Sequence, residues 1–157
     1  MTQITARDFM VTKVITMSPT ADVIDAVRVL LKHRISGAPV VDSDGRYLGV
    51  FSEKCSMHVL LDAAYEQLPV HDVRSFMDSE AQTISPETQL LSVAQVFLLT
   101  PYRRLPVLER GKLVGLVTRR DVMKCWMGLI DQVPSDSREM TLMYFSAMFE
   151  RHEAPLA

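Results

Sequence analysis

Apolar positions recur along the chain with two periods. Val23, Val27, Leu30 and Leu31 fall at i, i+4, i+7 and i+8, and Leu90, Ala94, Phe97 and Leu98 repeat that spacing. Each set is the stripe of an amphipathic helix with one buried face. A short β run follows each stripe, Ala38-Pro39-Val40-Val41 or Leu105-Pro106-Val107-Leu108, and after a turn comes a second β run over 47–51 or 113–117. The turns, Asp42-Ser43-Asp44-Gly45 and Glu109-Arg110-Gly111, place glycine between β runs, which predicts two hairpins. Ser52 and Thr118 then stand where a helix N-cap belongs and predict helices over about 53–68 and 119–130.

The two sets are copies of one unit. Phe9-Met10 returns as Phe76-Met77, Thr16-x-Ser18-Pro19 as Thr83-x-Ser85-Pro86, and Pro39-Val40 as Pro106-Val107, each 67 positions later. Past the hairpin turn the offset is 66: Gly45 matches Gly111, Gly49-Val50-Phe51-Ser52 matches Gly115-Leu116-Val117-Thr118, and Met57 matches Met123. The pattern is β-α-β-β-α, twice, over residues 5–68 and 73–130, which makes the fold class α/β (α+β). A unit of roughly 60 residues buries only about 60% of its unfolded surface, so pairing with its twin finishes the core.

After the second copy, Pro134-Ser135-Asp136 interrupts the helical pattern, and Asp136 with Glu139 reads as a capping box. It opens an extra C-terminal helix over about 137–151, within the segment 135–152. Leu142, Phe145 and Phe149 form its apolar stripe, widened by Met140, Met143, Tyr144 and Met148. Such a face covers its own module, a second copy of the chain, or a partner protein suited to a Met-rich surface.

Composition narrows the function. The 157 residues are 48% hydrophobic and 23% charged, which fits a packed globular chain with no room for a companion enzyme domain. A net charge of −2 removes the overall basicity expected of a nucleic-acid binder. Neither a membrane-spanning run nor a signal peptide is visible, so the cytoplasm is the expected location. Cys55 and Cys125 lack CxxC or Cys/His spacing, and His33, His58, His71 and His152 are scattered, so no metal ligand set or disulfide framework is indicated. Nucleophile-elbow and phosphate-loop motifs are absent as well. The expectation is a protein that is not an enzyme and requires no cofactor.

The strings His33-Arg34-Ile35-Ser36-Gly37-Ala38-Pro39-Val40-Val41-Asp42 and Tyr102-Arg103-Arg104-Leu105-Pro106-Val107-Leu108 carry a resemblance. So do the segments Gly49-Val50-Phe51-Ser52 and Gly115-Leu116-Val117-Thr118-Arg119-Arg120-Asp121-Val122. The chain resembles the cystathionine β-synthase (CBS) domain family, and the tandem arrangement is similar to a Bateman module. The resemblance implies two pseudo-symmetric repeats packed sheet to sheet, with two clefts for an adenosine-containing ligand such as AMP, ADP, ATP, S-adenosylmethionine or NAD. It also implies a disc-shaped homodimer and a regulatory role toward an unidentified partner.

One ionised carboxylate can accept from both hydroxyls of a ribose, so an Asp just inside a helix start is the informative residue. Asp121, three positions after Thr118, fits the family's [ST]-x-x-D motif. The resemblance assigns Thr118 and Asp121 to ribose and phosphate, while the local pattern equally allows them to be helix-capping residues only. Arg103 and Arg104 stand where related modules meet phosphate, and their guanidinium forks suit it. Thr16, Ser18 and Ser36 match positions that reach base or phosphate, although each also reads as a strand-end or N-cap hydroxyl. Arg119, Arg120 and Lys124 read as cleft rim or solvated helix face.

In the first copy the corresponding run is Ser52-Glu53-Lys54-Cys55, so a thiol replaces the carboxylate and Glu53 adds negative charge. One competent site per chain follows, with a second cleft that is empty or takes something else, and with Cys55 as a conceivable redox thiol. Two other function classes stand beside the sensor: an interaction module that keeps the fold without the ligand, and a small enzyme dependent on Asp121.

Overall fold

The computed structural model describes residues 3–65 and 71–132, with Leu142, Met143, Phe145 and Ser146 beyond them. A short helical turn α1 (Ala6–Phe9) precedes α2 (Val23–His33), the hairpin β1 (Gly37–Val41) and β2 (Tyr47–Ser52), and α3 (Glu53–Tyr65). The second repeat runs through a 3-10 turn (Val73–Ser75), α4 (Leu90–Leu99), β3 (Arg104–Glu109), β4 (Lys112–Thr118) and α5 (Arg119–Ile130). The mixed α/β fold expected from the pattern is present, and both hairpins are antiparallel. Gly45 has φ +80, and in the tighter second turn Arg110 (φ 52) and Gly111 (φ 76) are both left-handed, the conformation that a two-residue hairpin loop demands.

Two details depart from the periodicity. The leading β element of each unit contracts to a single parallel bridge, Met17 to Val40 and Ile84 to Val107. Leu31 and Leu98, expected on the buried stripes, are 74% and 85% exposed. At 100° per residue, position i+8 lies roughly 80° round the helix from position i, beyond the face that i, i+3 and i+7 present. Val23, Ala26 and Leu30, and Leu90, Val93 and Phe97, are the residues that α2 and α4 bury.

Each repeat has its own core, and each core is completed by the other repeat's leading segment. Val73, Phe76 and Met77 pack with Val23, Val40 and Phe51 of the first repeat. Ala6, Phe9 and Met10 pack with Val93, Leu105 and Val117 of the second. The exchange is carried by backbone pairs of matching geometry. Val11 and Leu116 exchange two N–H···O bonds of 2.9 Å, and Val50 and Asp78 exchange bonds of 3.0 and 2.8 Å. The hairpin ends are also joined, with Tyr47 N–H donating to Gly111 O and Leu113 N–H to Gly45 O.

Phe145 of the C-terminal segment meets Trp126 of α5, ring centroids 6.3 Å apart and tilted by 60°. The four described residues of this segment are helical; the rest of the helix expected over 137–151 lies outside the described residues, as do 66–68 at the end of the helix expected over 53–68. Among the described residues no helix is long and apolar enough to cross a membrane.

Gly49 and Gly115, at matching positions, face the exchanged segments. A Cβ on Gly49 would stand 2.6 Å from the backbone carbonyl oxygen of Asp78, whereas on Gly115 it would meet the flexible Met10 side chain, with Val11 O at 3.1 Å. Gly49→Ala is therefore expected to destabilise the protein by about 1–3 kcal/mol in urea unfolding, and Gly115→Ala by less, because a thioether can swing away and a strand carbonyl cannot.

Candidate functional site

A cleft of about 630 Å³ opens where the start of α5 faces the turn leading from α2 into β1. Ser36, Gly37, Arg103, Arg104, Thr118 and Asp121 all line it. β4 ends at Thr118 in extended conformation, and α5 begins at the next residue, so the first-turn N–H groups need acceptors. Thr118 Oγ1 accepts from Asp121 N–H at 3.3 Å, while Thr118 N–H and Oγ1–H both donate to Asp121 Oδ2 at 2.8 Å. Oδ2 is thereby occupied, and Oδ1 keeps its acceptor capacity among the described residues. Capping and ligand binding are thus not exclusive for this half-buried carboxylate, because capping uses one oxygen and leaves the other.

Arg104, the first residue of β3, pairs in register with Thr118. Its side chain reaches across to the first repeat and rests on Gly37, where a Cβ would overlap the guanidinium. Gly37 is the counterpart of Arg104 at the 67-residue offset, so the glycine vacates the space that the arginine fills. The half-buried guanidinium has no carboxylate partner or hydrogen bond among the described residues. Loss of solvation pulls its pKa below the ordinary arginine value, opposed by the field of Glu53 and reinforced by Arg103.

A second cleft of about 380 Å³ shares Ser36, Arg103 and Arg104 with the first. Ser52, Glu53, Lys54, Asp78 and Tyr102 line the remainder. Cys55 does not line it. Its thiol accepts from Ser52 Oγ–H at 3.3 Å, contacts Val50 O at 3.7 Å, and is only 5% exposed within the first core. A neutral thiol loses little on leaving water and so turns inward where a carboxylate could not. That burial argues against the redox role raised for Cys55 from its place at a helix start, because an oxidant would have to reach it within the core. Cys125 lines neither cleft, and its partial burial, with the nearby charge of Asp8, pushes its thiol pKa up.

Two residues proposed from the pattern stay outside both clefts. The parallel bridge turns Met17 into the core, so Thr16 and Ser18 on either side point outward and are exposed. Ser18 Oγ instead bonds within its own turn, 3.0 Å from Thr20 Oγ1. From that segment it is Val11, Lys13, Val14 and Ile15 that reach the main cleft, joined by Arg34. The sequence assigns no role to Lys13 and includes Arg34 only within the string that carries the family resemblance. Arg119 and Arg120 line the cleft and Lys124 does not.

The model of the CBS domain matches residues 6–54 and 72–128. The chain belongs to the CBS domain family. Over 118 residues this CBS pair is 30% identical to an uncharacterized protein of Methanocaldococcus jannaschii, covering 75% of the chain and 41% of that relative. A CBS domain-containing protein of Dictyostelium discoideum is 29% identical over 133 residues, 78% of the chain and 90% of the relative. The CBS pair therefore spans about two fifths of the first relative's length and most of the second's. Among solved structures, the CBS-pair protein CBSX2 of Arabidopsis thaliana is 26% identical with a TM-score of 0.73, covering 84% of this chain and all of that one. CBSX2 in complex with AMP is 28% identical with a TM-score of 0.69, covering 80% of this chain and 97% of that one.

Tyr47 places a hydroxyl near the second cleft with no partner among the described residues. Burial pushes its pKa up to about 12, with Asp78 and Tyr102 adding to the shift. A phenol held neutral in the fold loses its stabilising effect as pH rises from its ordinary value of about 10 toward the folded value. Tyr47→Phe is expected to gain about 1 kcal/mol at neutral pH by removing an unsatisfied buried hydroxyl. Its urea midpoint should also fall less steeply than wild type between about pH 10 and 12.

Proposed function

We propose that this CBS pair is a regulatory module that binds an adenosine-containing nucleotide in the cleft at Asp121 and thereby alters its contact with a partner or a second copy of itself. The carrying observation is that one cavity is lined both by a carboxylate with an oxygen to spare and by a half-buried guanidinium, neither the spare oxygen nor the guanidinium having a partner among the described residues. The free Oδ1 suits the two adjacent hydroxyl donors of a ribose. Arg103, Arg104 and the unbonded N–H groups at the start of α5 suit phosphate oxygens. The AMP complex of CBSX2, a CBS-pair protein 28% identical to this one, supports the assignment.

Regulation follows from where the wall residues originate. Arg34, Ser36 and Gly37 belong to the first repeat, and Arg103, Arg104, Thr118 and Asp121 to the second. A ligand touching both favours the arrangement of repeats that closes on it, and shifts the population by its differential affinity. The outlet is a pair of exposed apolar helix faces. Met57, Leu60 and Leu61 on α3 match Met123, Trp126 and Met127 on α5 at the 66-residue offset, and all are between 39% and 60% exposed. Phe145 touches the α5 face, whereas the α3 face continues to Tyr65, 83% exposed. We assign the α3 face to a homodimer contact, since a pseudo-symmetric apolar surface suits a symmetric partner.

Two measurements test these assignments. AMP should raise the melting temperature of the wild type by mass action. Asp121→Asn keeps an acceptor oxygen for the cap but loses the charge, so it should melt near wild type with most of the AMP effect gone. Asp121→Ala should lose the AMP effect and about 1 kcal/mol of stability through the broken cap. Stabilisation by AMP retained in both variants would reject Asp121 as the anchor. In sedimentation velocity the wild type should be a dimer that Leu60→Lys converts to a folded monomer; a wild type that stays monomeric at high concentration would reject the α3 contact.

A further inference from the structure

The main cleft carries a concentration of positive charge that a sugar and one phosphate do not explain. Lys13, Arg34, Arg103, Arg104, Arg119 and Arg120 line it against a single carboxylate, Asp121. The whole chain has a net charge of −2, so these cations are gathered against the overall balance. None is ion-paired among the described residues, where the ion pairs lie instead at Arg7 and Arg28. They arrive from four separate parts of the fold: the segment before Met17, the end of α2, the start of β3 and the first turn of α5.

Several of these placements run against local preference. Arg34 holds a left-handed backbone at φ 51, which is unfavourable for a side chain with a Cβ. Arg119 and Arg120 occupy the positive end of the α5 dipole, where acids are preferred. Arg119 is held by a carbonyl, its Nη2 donating to Phe97 O at 3.3 Å, and by the Phe97 ring at 6.0 Å, rather than by a carboxylate. Water and salt screen the five exposed cations, and an anion that enters the cleft adds an attraction that none of the six finds in an ion pair among the described residues. The second cleft serves as an internal control: it uses the same Arg103 and Arg104, yet Glu53 and Asp78 offset its cations.

We propose that the main cleft reads the length of a phosphate chain, preferring nucleoside di- and triphosphates to monophosphates and disfavouring the cationic sulfonium of S-adenosylmethionine. The inference rests on the nucleotide reading for its adenosine end; its own content is selection by charge, with Lys13 and Arg34 as specificity-determining residues. Each phosphate adds negative charge and further acceptor oxygens that guanidinium forks can engage. Low-dielectric walls lined by one sign of charge focus that attraction.

Isothermal titration of the whole chain in metal-free buffer, at low and high salt, tests the proposal. The probes are adenosine, AMP, ADP, ATP, S-adenosylmethionine, inorganic tripolyphosphate and a short single-stranded RNA. Affinity should rise about tenfold per added phosphate from AMP to ATP and weaken steeply with salt, with S-adenosylmethionine binding below AMP. Arg34→Asn, whose new residue tolerates the left-handed backbone, and Lys13→Gln should each lower ATP affinity more than AMP affinity. Adenosine or S-adenosylmethionine binding as tightly as ATP would overturn charge selection while leaving the nucleotide reading intact. Tripolyphosphate binding as tightly as ATP, with adenosine and AMP silent, would overturn the nucleotide reading and uphold the polyanion site. RNA binding more tightly than ATP, an ATP-to-AMP ratio unchanged in both variants, or no binding of ATP and tripolyphosphate would overturn the proposal.

Discussion

Two reciprocal backbone pairs, Val11 with Leu116 and Val50 with Asp78, hold the molecule in its shape. Through them the segment that leads each repeat is added to the other repeat's hairpin, and the apolar residues it carries finish the other repeat's core. Ala6, Phe9 and Met10 of the first copy and Val73, Phe76 and Met77 of the second each pack into the other copy's core, so the two fold as one unit whose seam is hydrogen-bonded. The close approach is possible because Gly49 and Gly115 present no side chain to the incoming backbone. The clefts are the space left along this seam, and their walls are therefore always supplied by both repeats.

On that nearly symmetric frame, two substitutions between copies create the asymmetry. The first sets Arg104 opposite Gly37, so one guanidinium occupies the centre and borders both clefts. Desolvation without a counter-ion makes that position costly, and the cost is offset when an anion enters. The second sets Asp121 opposite Cys55. At the start of α5 the carboxylate stays at the cleft because it is charged and has a cap to close. At the start of α3 the thiol follows its apolar preference into the core, and the second cleft is left with Glu53 and Asp78 as its carboxylates.

Charge distribution, rather than composition, then distinguishes the two cavities. The chain as a whole is mildly acidic, yet its main cleft is strongly basic, because the fold draws cations from four separate stretches of sequence around one cavity. Arg103, Arg104, Arg119 and Arg120 stand out in the sequence as adjacent pairs within the repeat pattern. Lys13 and Arg34 do not, since each is one charge among neighbours of ordinary composition, and no periodicity ties them to a ligand.

By itself the amino-acid order determined the repeat, the two long helices and the hairpin of each copy, both hairpin turns and the capped helix at Thr118 and Asp121. These depend on local chemistry: side-chain spacing, glycine in turns, and an acid three residues after a hydroxyl. Tertiary structure alone decided the exchange of leading segments, the outward turn of Thr16 and Ser18, the retreat of Cys55 into the core, and the company that Arg104 keeps. Each of those outcomes depends on which backbone lies alongside which, a contact between residues dozens of positions apart, and a linear pattern carries no information about what will press against it from the far side.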